Sequence, residues 1–218
     1  MGNTIVEPCE VVRYASISPE YPTRLLCDII EHVEEEFANT CIGYEFYQYL
    51  LSDLVDKSGY VVGKQGVKYQ ENEIIQYECE YYKAKQNDVT LNDIKNDLSF
   101  EKLSKFVDKD NQILYEKYLR RIIALKVYAQ SLTESTIKSS SGGVIVNIGD
   151  SMGNRTANRQ ELAALKDATL SSAAQAIDNM YNFVYRMQKD NRYKKFGNCG
   201  ISCDTPSQNV KFRKRFLV

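Results

Sequence analysis

Residues 118–128, YLRRIIALKVY, decide the fold of this 218-residue chain. From about Asp110 to Leu132, apolar residues recur on more than one helical stripe, over about 35 Å at ~1.5 Å per residue. A helix of this length and composition crosses a whole domain and needs neighbours on several sides. The pattern therefore predicts a central helix, with its apolar positions at Ile113, Leu114, Tyr118, Leu119, Ile122, Ile123, Leu125, Val127 and Tyr128.

Two shorter helices are predicted before the central helix. Apolar residues recur every three or four positions from Thr23 onward, and a second such run follows a turn at Gly43, so the pair predicts an αα-hairpin. The apolar positions are Leu26, Ile29, Ile30, Val33 and Phe37, then Phe46, Tyr47, Leu50, Leu51, Leu54 and Val55.

Two charged groups on these helices each allow two interpretations. The acidic run is expected on the wet face of the first helix, either as solvated surface or as a face that must not bind something negative. The arginine pair is either extended to solvent from the edge of the central helix or engaged in an inter-subunit ion pair. The residues are Glu31, Glu34, Glu35 and Glu36, and Arg120 and Arg121.

A last helix is predicted from Thr156–Asn158 to about Lys189. Its alanine- and serine-rich middle, residues 171–176, allows another helix to approach closely. The predicted apolar side comprises Leu162, Leu165, Leu170, Ala173, Ala174, Ile177, Met180, Tyr181, Val184 and Met187.

Residues 59–107 predict a small β-rich insert. Residues 60–62 and 67–69 flank Gly63-Lys64-Gln65-Gly66, which is a hairpin signal. From Ile75 to Tyr81, apolar and polar residues alternate, which predicts a strand with one buried face.

A β-arm is predicted at residues 138–155. A serine- and glycine-rich stretch ends the central helix, a strong β former follows at 144–148, and 149–154 is rich in turn residues. This stretch is too poor in apolar surface to fold alone, so we expect a lid or an arm that pairs with another sheet, including that of a neighbouring subunit. The predicted inter-subunit arm consists of Gly142, Gly143, Val144, Ile145, Val146, Asn147 and Ile148. No phosphate-binding GxxxxGK[ST] pattern is present.

Both ends of the chain are predicted to be extensions. Residues 1–22 form an N-terminal arm with a short strand near Val6, Val11 and Val12, interrupted by prolines. Residues 191–218 form a C-terminal tail that is either solvated or docks on an acidic partner or DNA phosphate. The basic residues of that tail are Lys211, Arg213, Lys214 and Arg215.

The expected fold class is mainly α: a helical bundle with a small β-rich insert and a β-hairpin arm. The bundle consists of residues 23–58 and 108–190.

Composition argues against several functional classes. The net charge of -1 disfavours a free-standing nucleic-acid binder. Six cysteines without a CxxC pair, and no apolar leader, predict reduced thiols in a cytosolic protein. The single histidine, His32, has no nucleophile signature nearby. We therefore expect no enzyme, no cofactor and no metal site, and no apolar run approaches the ~20 residues that span a bilayer.

Three stretches resemble one family. These are IGYEFY at 42–47, the central helix at 118–128 followed by Thr136, and GGVIVN at 142–147 with RQEL opening the last helix at 159–162. Together they resemble the head-to-tail connector (adaptor, or neck ring) proteins of tailed bacteriophages, especially crAss-like and related phages of Bacteroidetes. The resemblance covers most of residues 23–190.

The resemblance implies a structural virion protein made in the host cytoplasm and located at the head-tail junction. Its copies would form a cyclic ring, usually twelvefold, that contacts the portal protein and other neck or tail proteins. Genome DNA would pass through the bore with transient, non-specific contact, and no membrane is implied.

Two other functions stay open. Residues 69–85 resemble the three-stranded core of small carbohydrate-binding modules, which suggests a surface- or carbohydrate-binding accessory protein, although this chain lacks the exposed tryptophans of those modules. An enzyme of unrecognised type would instead show a deep pocket with converging polar groups and a perturbed titratable side chain.

Overall fold

The computed structural model describes residues 4–15, 22–57, 59–91, 98–138, 145–147, 154–156, 159–193 and 196. The helices are α1 (Pro8–Ala15), α2 (Thr23–Phe37), α3 (Tyr44–Ser52), α4 (Lys109–Leu114), α5 (Arg120–Lys138) and α6 (Arg159–Gln188). The strands are β1 (Val61–Val62), β2 (Lys68–Tyr69), β3 (Ile74–Tyr77), β4 (Glu80–Ala84), β5 (Val89–Thr90), β6 (Phe100–Lys102), β7 (Ile145–Asn147) and β8 (Asn154–Thr156). The predicted fold class, mainly α with a small β part, is confirmed.

The predicted central helix is confirmed and is longer than the sequence indicated. α4 passes through a π-helical turn, Tyr115–Leu119, directly into α5, so one helical run extends from Lys109 to Lys138. The Asp108 carboxylate caps this run by accepting a hydrogen bond from the backbone N–H of Asp110. α5 contacts α1, α2 and α6, which explains why it is apolar on more than one stripe.

The two shorter helices also form where the periodicity predicts them. α2 buries all five of its predicted apolar residues. A π-helical turn, Ala38–Ile42, follows it, and Gly43 has a φ of 87°. Glycine adopts this φ without strain, so Gly43 allows the change of direction into α3. α3 is shorter than predicted, because Leu54 leaves the helix to form a β-bridge with Phe106.

The predicted N-terminal strand and arm are wrong for residues 4–15. Residues 8–15 form helix α1, and Ile5, Val6 and Val11 lie buried in the main core. Pro8 occupies the first position of α1, where its missing N–H and fixed φ are compatible with a helix. This part of the chain therefore belongs to the folded body.

The predicted last helix is confirmed as α6, but its buried face is narrower than the apolar side predicted from the sequence. Most of its buried residues lie four or seven positions apart, a spacing typical of a coiled-coil seam. These residues are Leu162, Thr169, Ala173, Met180, Phe183 and Val184. Leu165 and Leu170, which the sequence placed on the buried side, are 36% and 40% exposed.

The insert is β-rich, but its strand pairing differs from the prediction. β1 pairs in parallel with β3, and β2 pairs with β5, so the segments flanking residues 63–66 do not form a hairpin with each other. The alternating stretch is two strands, because β3 and β4 form a hairpin whose turn residues Glu78 and Cys79 both have positive φ. The larger sheet has the order β1-β3-β4-β6.

Two larger hydrophobic clusters support this architecture. The main core joins α1, α2, α3, the central helical run and α6. The insert has its own small core, made of Tyr69, Ile75, Tyr82, Ala84, Val89, Leu91 and Phe100. The predicted β-hairpin arm is also confirmed, because β7 pairs antiparallel with β8 between α5 and α6.

Candidate functional site

The predicted arm is partly described by the structure. Ile145, Val146 and Asn147 form β7 and lie opposite Thr156, Arg155 and Asn154 of β8. Gly142, Gly143, Val144 and Ile148 lie outside the described residues, as do Lys211, Arg213, Lys214 and Arg215 of the tail. The arm therefore consists of a short hairpin at the end of two long helices.

α5 and α6 form what we call the stalk, residues 120–138 and 159–188. Leu132 and Leu162 form a small cluster, and Tyr128 packs against both this cluster and the main core. Each residue advances about 100° around a helix, so Leu165 and Leu170 lie on opposite sides of the α6 seam. The stalk thus presents a partly exposed leucine on each flank.

The insert presents a second apolar surface along β1. Val61 and Val62 are exposed, and Val62 reaches 64%. Tyr60 and Val67 on either side are also exposed. β1 is the outermost strand of its sheet, and within the described ranges its outer edge pairs with no strand. Exposed apolar edge strands are sites where another chain can pair.

The acidic face of α2 differs from the prediction at one residue. Glu31, Glu35 and Glu36 are exposed, and Glu36 forms an ion pair with Lys126 of α5 at 3.0 Å. Glu34 is fully buried. Position 34 lies four residues after Ile30 and three before Phe37, so the helical spacing alone could have placed it on the buried stripe.

Glu34 anchors the N-terminal segment to α2 and α3. Its carboxylate accepts hydrogen bonds from the backbone N–H groups of Ile5 (2.8 Å) and Val6 (2.7 Å) and from the Tyr47 hydroxyl (2.8 Å). Burial raises the pKa of Glu34 to about 7, although these three donors and the charge of Lys105 act in the opposite direction.

A buried polar network joins α1 to the end of the insert and to the central helical run. Lys105 Nζ donates to Glu10 Oε2 (2.6 Å) and to the Tyr115 hydroxyl oxygen (3.0 Å), and it lies 3.5 Å from Glu7 Oε1. The Tyr115 hydroxyl donates to the other oxygen of Glu10. No local sequence pattern could have predicted this network, because its members are far apart in the chain.

Arg120 belongs to this network rather than to a predicted inter-subunit ion pair. Its guanidinium lies 3.9 Å from Glu10 Oε1 and stacks over the ring of Tyr14, 4.4 Å from its centroid. Arg121 is exposed, so the inter-subunit interpretation stays a prediction for that residue alone.

A groove of about 890 Å³ lies between α1, the start of α2 and the β3–β4 turn. We call it the thiol groove, because Cys9, Cys27 and Cys79 all line it. Its remaining lining residues are Glu7, Pro8, Val12, Arg13, Thr23, Leu26, Tyr60, Gln76, Glu78 and Tyr81. No local sequence pattern predicts that three cysteines so far apart line one groove, because each lies on a different element.

Several titratable groups near the groove are perturbed. The interaction between the neighbouring thiols of Cys9 and Cys79 raises the pKa of Cys9 and lowers that of Cys79. Burial, together with the nearby charge of Lys105, lowers the pKa of Lys57 to about 8. The Lys57 ammonium lies over the Tyr81 ring, 3.9 Å from its centroid.

The chemistry available in the groove is that of thiols. No histidine is among the described residues that line it, and His32 is exposed on α2. Across the part of the chain that the structure describes, no three His, Cys, Asp or Glu side chains are grouped to hold a metal ion. No described helix is both long enough and apolar enough to cross a bilayer.

Comparison with known proteins identifies a family but no activity. No curated protein and no solved structure matches the chain. One family model matches residues 74–205, from β3 through α6 and beyond. Because this match covers more than half of the sequence, the chain belongs to the DUF6712 family, a family of unknown function.

Proposed function

We propose that this chain is a structural virion protein, a subunit of a head-to-tail connector ring that joins the portal to the tail and lets genome DNA pass. The proposal combines the sequence resemblance with the surfaces of the stalk, the arm and the insert. Its partners would be further copies of itself, the portal protein and other neck or tail proteins.

The stalk carries this proposal. A subunit of a ring needs two different apolar surfaces, because each copy contacts one neighbour with one side and the next neighbour with the other. Leu165 and Leu170 lie on opposite flanks of the α6 seam, and both are partly exposed. Among the described residues of a single chain, Leu165 keeps 36% and Leu170 keeps 40% of its surface exposed, and this surface is available to a neighbouring copy.

The strands supply a second route to contact between subunits. β7 and β8 form a hairpin of three-residue strands, and β1 has an open, apolar outer edge. A strand of one subunit could add to an open edge of the next through main-chain hydrogen bonds. The exposed carboxylates of α2 fit a surface that repels DNA phosphate rather than binding it.

Sedimentation velocity of the full chain tests the stalk. We expect the wild-type protein to form a closed oligomer, and Leu165→Glu and Leu170→Glu each to prevent closure while leaving the circular dichroism unchanged. Each variant retains one intact flank, so an equimolar mixture of the two should form a heterodimer. Leu98→Glu makes the same change on the insert, at a residue that is 88% exposed, and should keep the oligomer.

An unchanged oligomer in both stalk variants would refute the role of the two flanks. The alternative function, glycan or surface binding, has its basis in the exposed Tyr60 of the insert. A glycan array probed with the full chain separates the two proposals, because a connector subunit should give no signal.

A further inference from the structure

Two cysteines from distant parts of the chain meet in the thiol groove. Cys9 lies in α1, Cys79 lies in the β3–β4 turn, and both are free thiols that are partly exposed. Arg13 lies one turn after Cys9 on α1, and its side chain contacts the backbone of Glu78, the residue directly before Cys79, so α1 packs against the turn where the two cysteines lie. Both cysteines line the thiol groove. Two partly exposed thiols on packed elements that line one groove are placed to form a disulfide.

The surroundings of the two thiols give them different roles. The neighbouring Cys9 thiol lowers the pKa of Cys79, and the charge of Arg13 acts in the same direction. Arg13 is held nearby, since its Nη1 donates to the backbone oxygen of Glu78 at 3.4 Å. Cys79 is therefore the sulfur that reaches its thiolate form more readily and attacks first.

We propose that a small-molecule disulfide oxidises this pair and that the resulting Cys9–Cys79 bond fastens α1 to the β3–β4 turn. The Cys79 thiolate attacks one sulfur of the small disulfide, forms a mixed disulfide and releases one thiolate. Cys9 then loses its proton and attacks the Cys79 sulfur, which releases the second thiolate. In balance, two protein thiols lose two electrons and two protons, and the small disulfide is reduced to two thiols.

The bond adds to contacts that already join these elements. Glu7, which directly precedes α1, accepts hydrogen bonds from Gln76 (3.1 Å) and from the Tyr81 hydroxyl (3.0 Å) of the insert. The two elements are therefore held in register without the disulfide. A cross-link between them reduces the number of conformations that the unfolded chain can adopt, so the oxidised protein should unfold at a higher denaturant concentration.

Oxidised glutathione added to the reduced full chain tests the proposal. After the remaining thiols are alkylated, mass spectrometry of the digest should show the peptides of Cys9 and Cys79 joined. The urea midpoint should rise, and a reductant should reverse the rise. Cys27→Ser is the matched control, because Cys27 lines the same groove, and it should leave the cross-link intact.

The variants also separate the two steps. Cys9→Ser should stop the reaction at a stable glutathione adduct on Cys79. A final product in which wild-type Cys79 carries glutathione, is joined to another cysteine or is unmodified would overturn the proposal. The disulfide forms or fails to form whatever the chain assembles into, so its failure leaves the connector proposal standing.

Discussion

Glu34 and Glu10 are both buried carboxylates, and both hold the N-terminal segment in place. Glu34 accepts the backbone N–H groups of Ile5 and Val6, and Glu10 pairs with Lys105 and Tyr115. A buried carboxylate is stable in a protein only when donors or cations surround it. Acidic residues are usually expected on the protein surface, but at these two positions they lie in the interior.

The raised pKa of Glu34 predicts a stability that depends on pH. The pKa of Glu34 in the folded protein, about 7, exceeds its ordinary value of 4.5. The stabilisation that the folded environment gives to the protonated side chain is therefore complete below the lower value and is lost as pH rises through the higher one. Between pH of about 5 and about 8, the unfolding free energy of the wild-type protein should therefore fall by on the order of 3 kcal/mol, and Glu34→Gln should abolish this fall.

Urea denaturation across this pH range measures that decline. Glu35→Gln, an exposed neighbour on α2, is the control and should keep the wild-type pH dependence. If the unfolding free energy of Glu34→Gln falls with pH as steeply as that of the wild-type protein, Glu34 does not titrate in this range.

The Lys105 network predicts a large loss on removal of its cation. Lys105→Met keeps the apolar stem but leaves the buried Glu10 carboxylate without its nearest positive partner, at a cost of about 3–5 kcal/mol of unfolding free energy. Lys102→Met removes the ion pair of the exposed Lys102 with the half-buried Glu80 (2.8 Å) and should cost less than about 1 kcal/mol of unfolding free energy. Equal losses in urea denaturation would contradict the assigned role of Lys105.

At the scale of elements, the sequence predicted well where helical periodicity continues over several turns. α2, the central helical run and α6 form where their apolar residues recur. α1 was missed because Pro8 suggested an interruption, whereas at a first helical position it is tolerated. The π-helical turn at Tyr115–Leu119 has no signature in the pattern of apolar residues.

Strand pairing and the contacts of buried polar groups could not be predicted from the sequence. The parallel pairing of β1 with β3 joins segments that no local turn specifies. The Lys105–Glu10 pair joins residues on separate elements, and Cys9 and Cys79 line one groove from separate elements. Both arrangements depend on the whole fold. For the same reason, the thiol groove was not anticipated.

The contact between β1 and β3 predicts the effect of a small substitution. A Cβ added at Gly63 would lie 2.9 Å from Ile75 Cγ2 and 3.1 Å from the backbone oxygen of Gln76. Ile75 is fully buried and cannot easily move, so Gly63→Ala should cost about 1–3 kcal/mol of unfolding free energy.

The control for this substitution is Val67→Ala, an exposed position nearby that should change stability by less than about 0.5 kcal/mol. Thermal or urea unfolding measures both variants. A neutral Gly63→Ala would mean that β1 is not held closely against β3.

At the scale of the whole molecule, the chain combines a well-packed helical body with apolar surfaces that the body does not cover. The main core accounts for the stability of one copy, and we propose that the stalk flanks and the β1 edge contact further copies. The near-neutral net charge, -1, fits assembly through apolar surfaces rather than attraction to DNA.

Negative-stain electron microscopy of the purified full chain, alone and mixed with a portal protein encoded beside it, tests the proposed connector function most directly. We predict closed rings with the stalks of adjacent copies side by side, and stacking of those rings on one end of the portal. Single copies at all protein concentrations, with no binding to the portal, would contradict it.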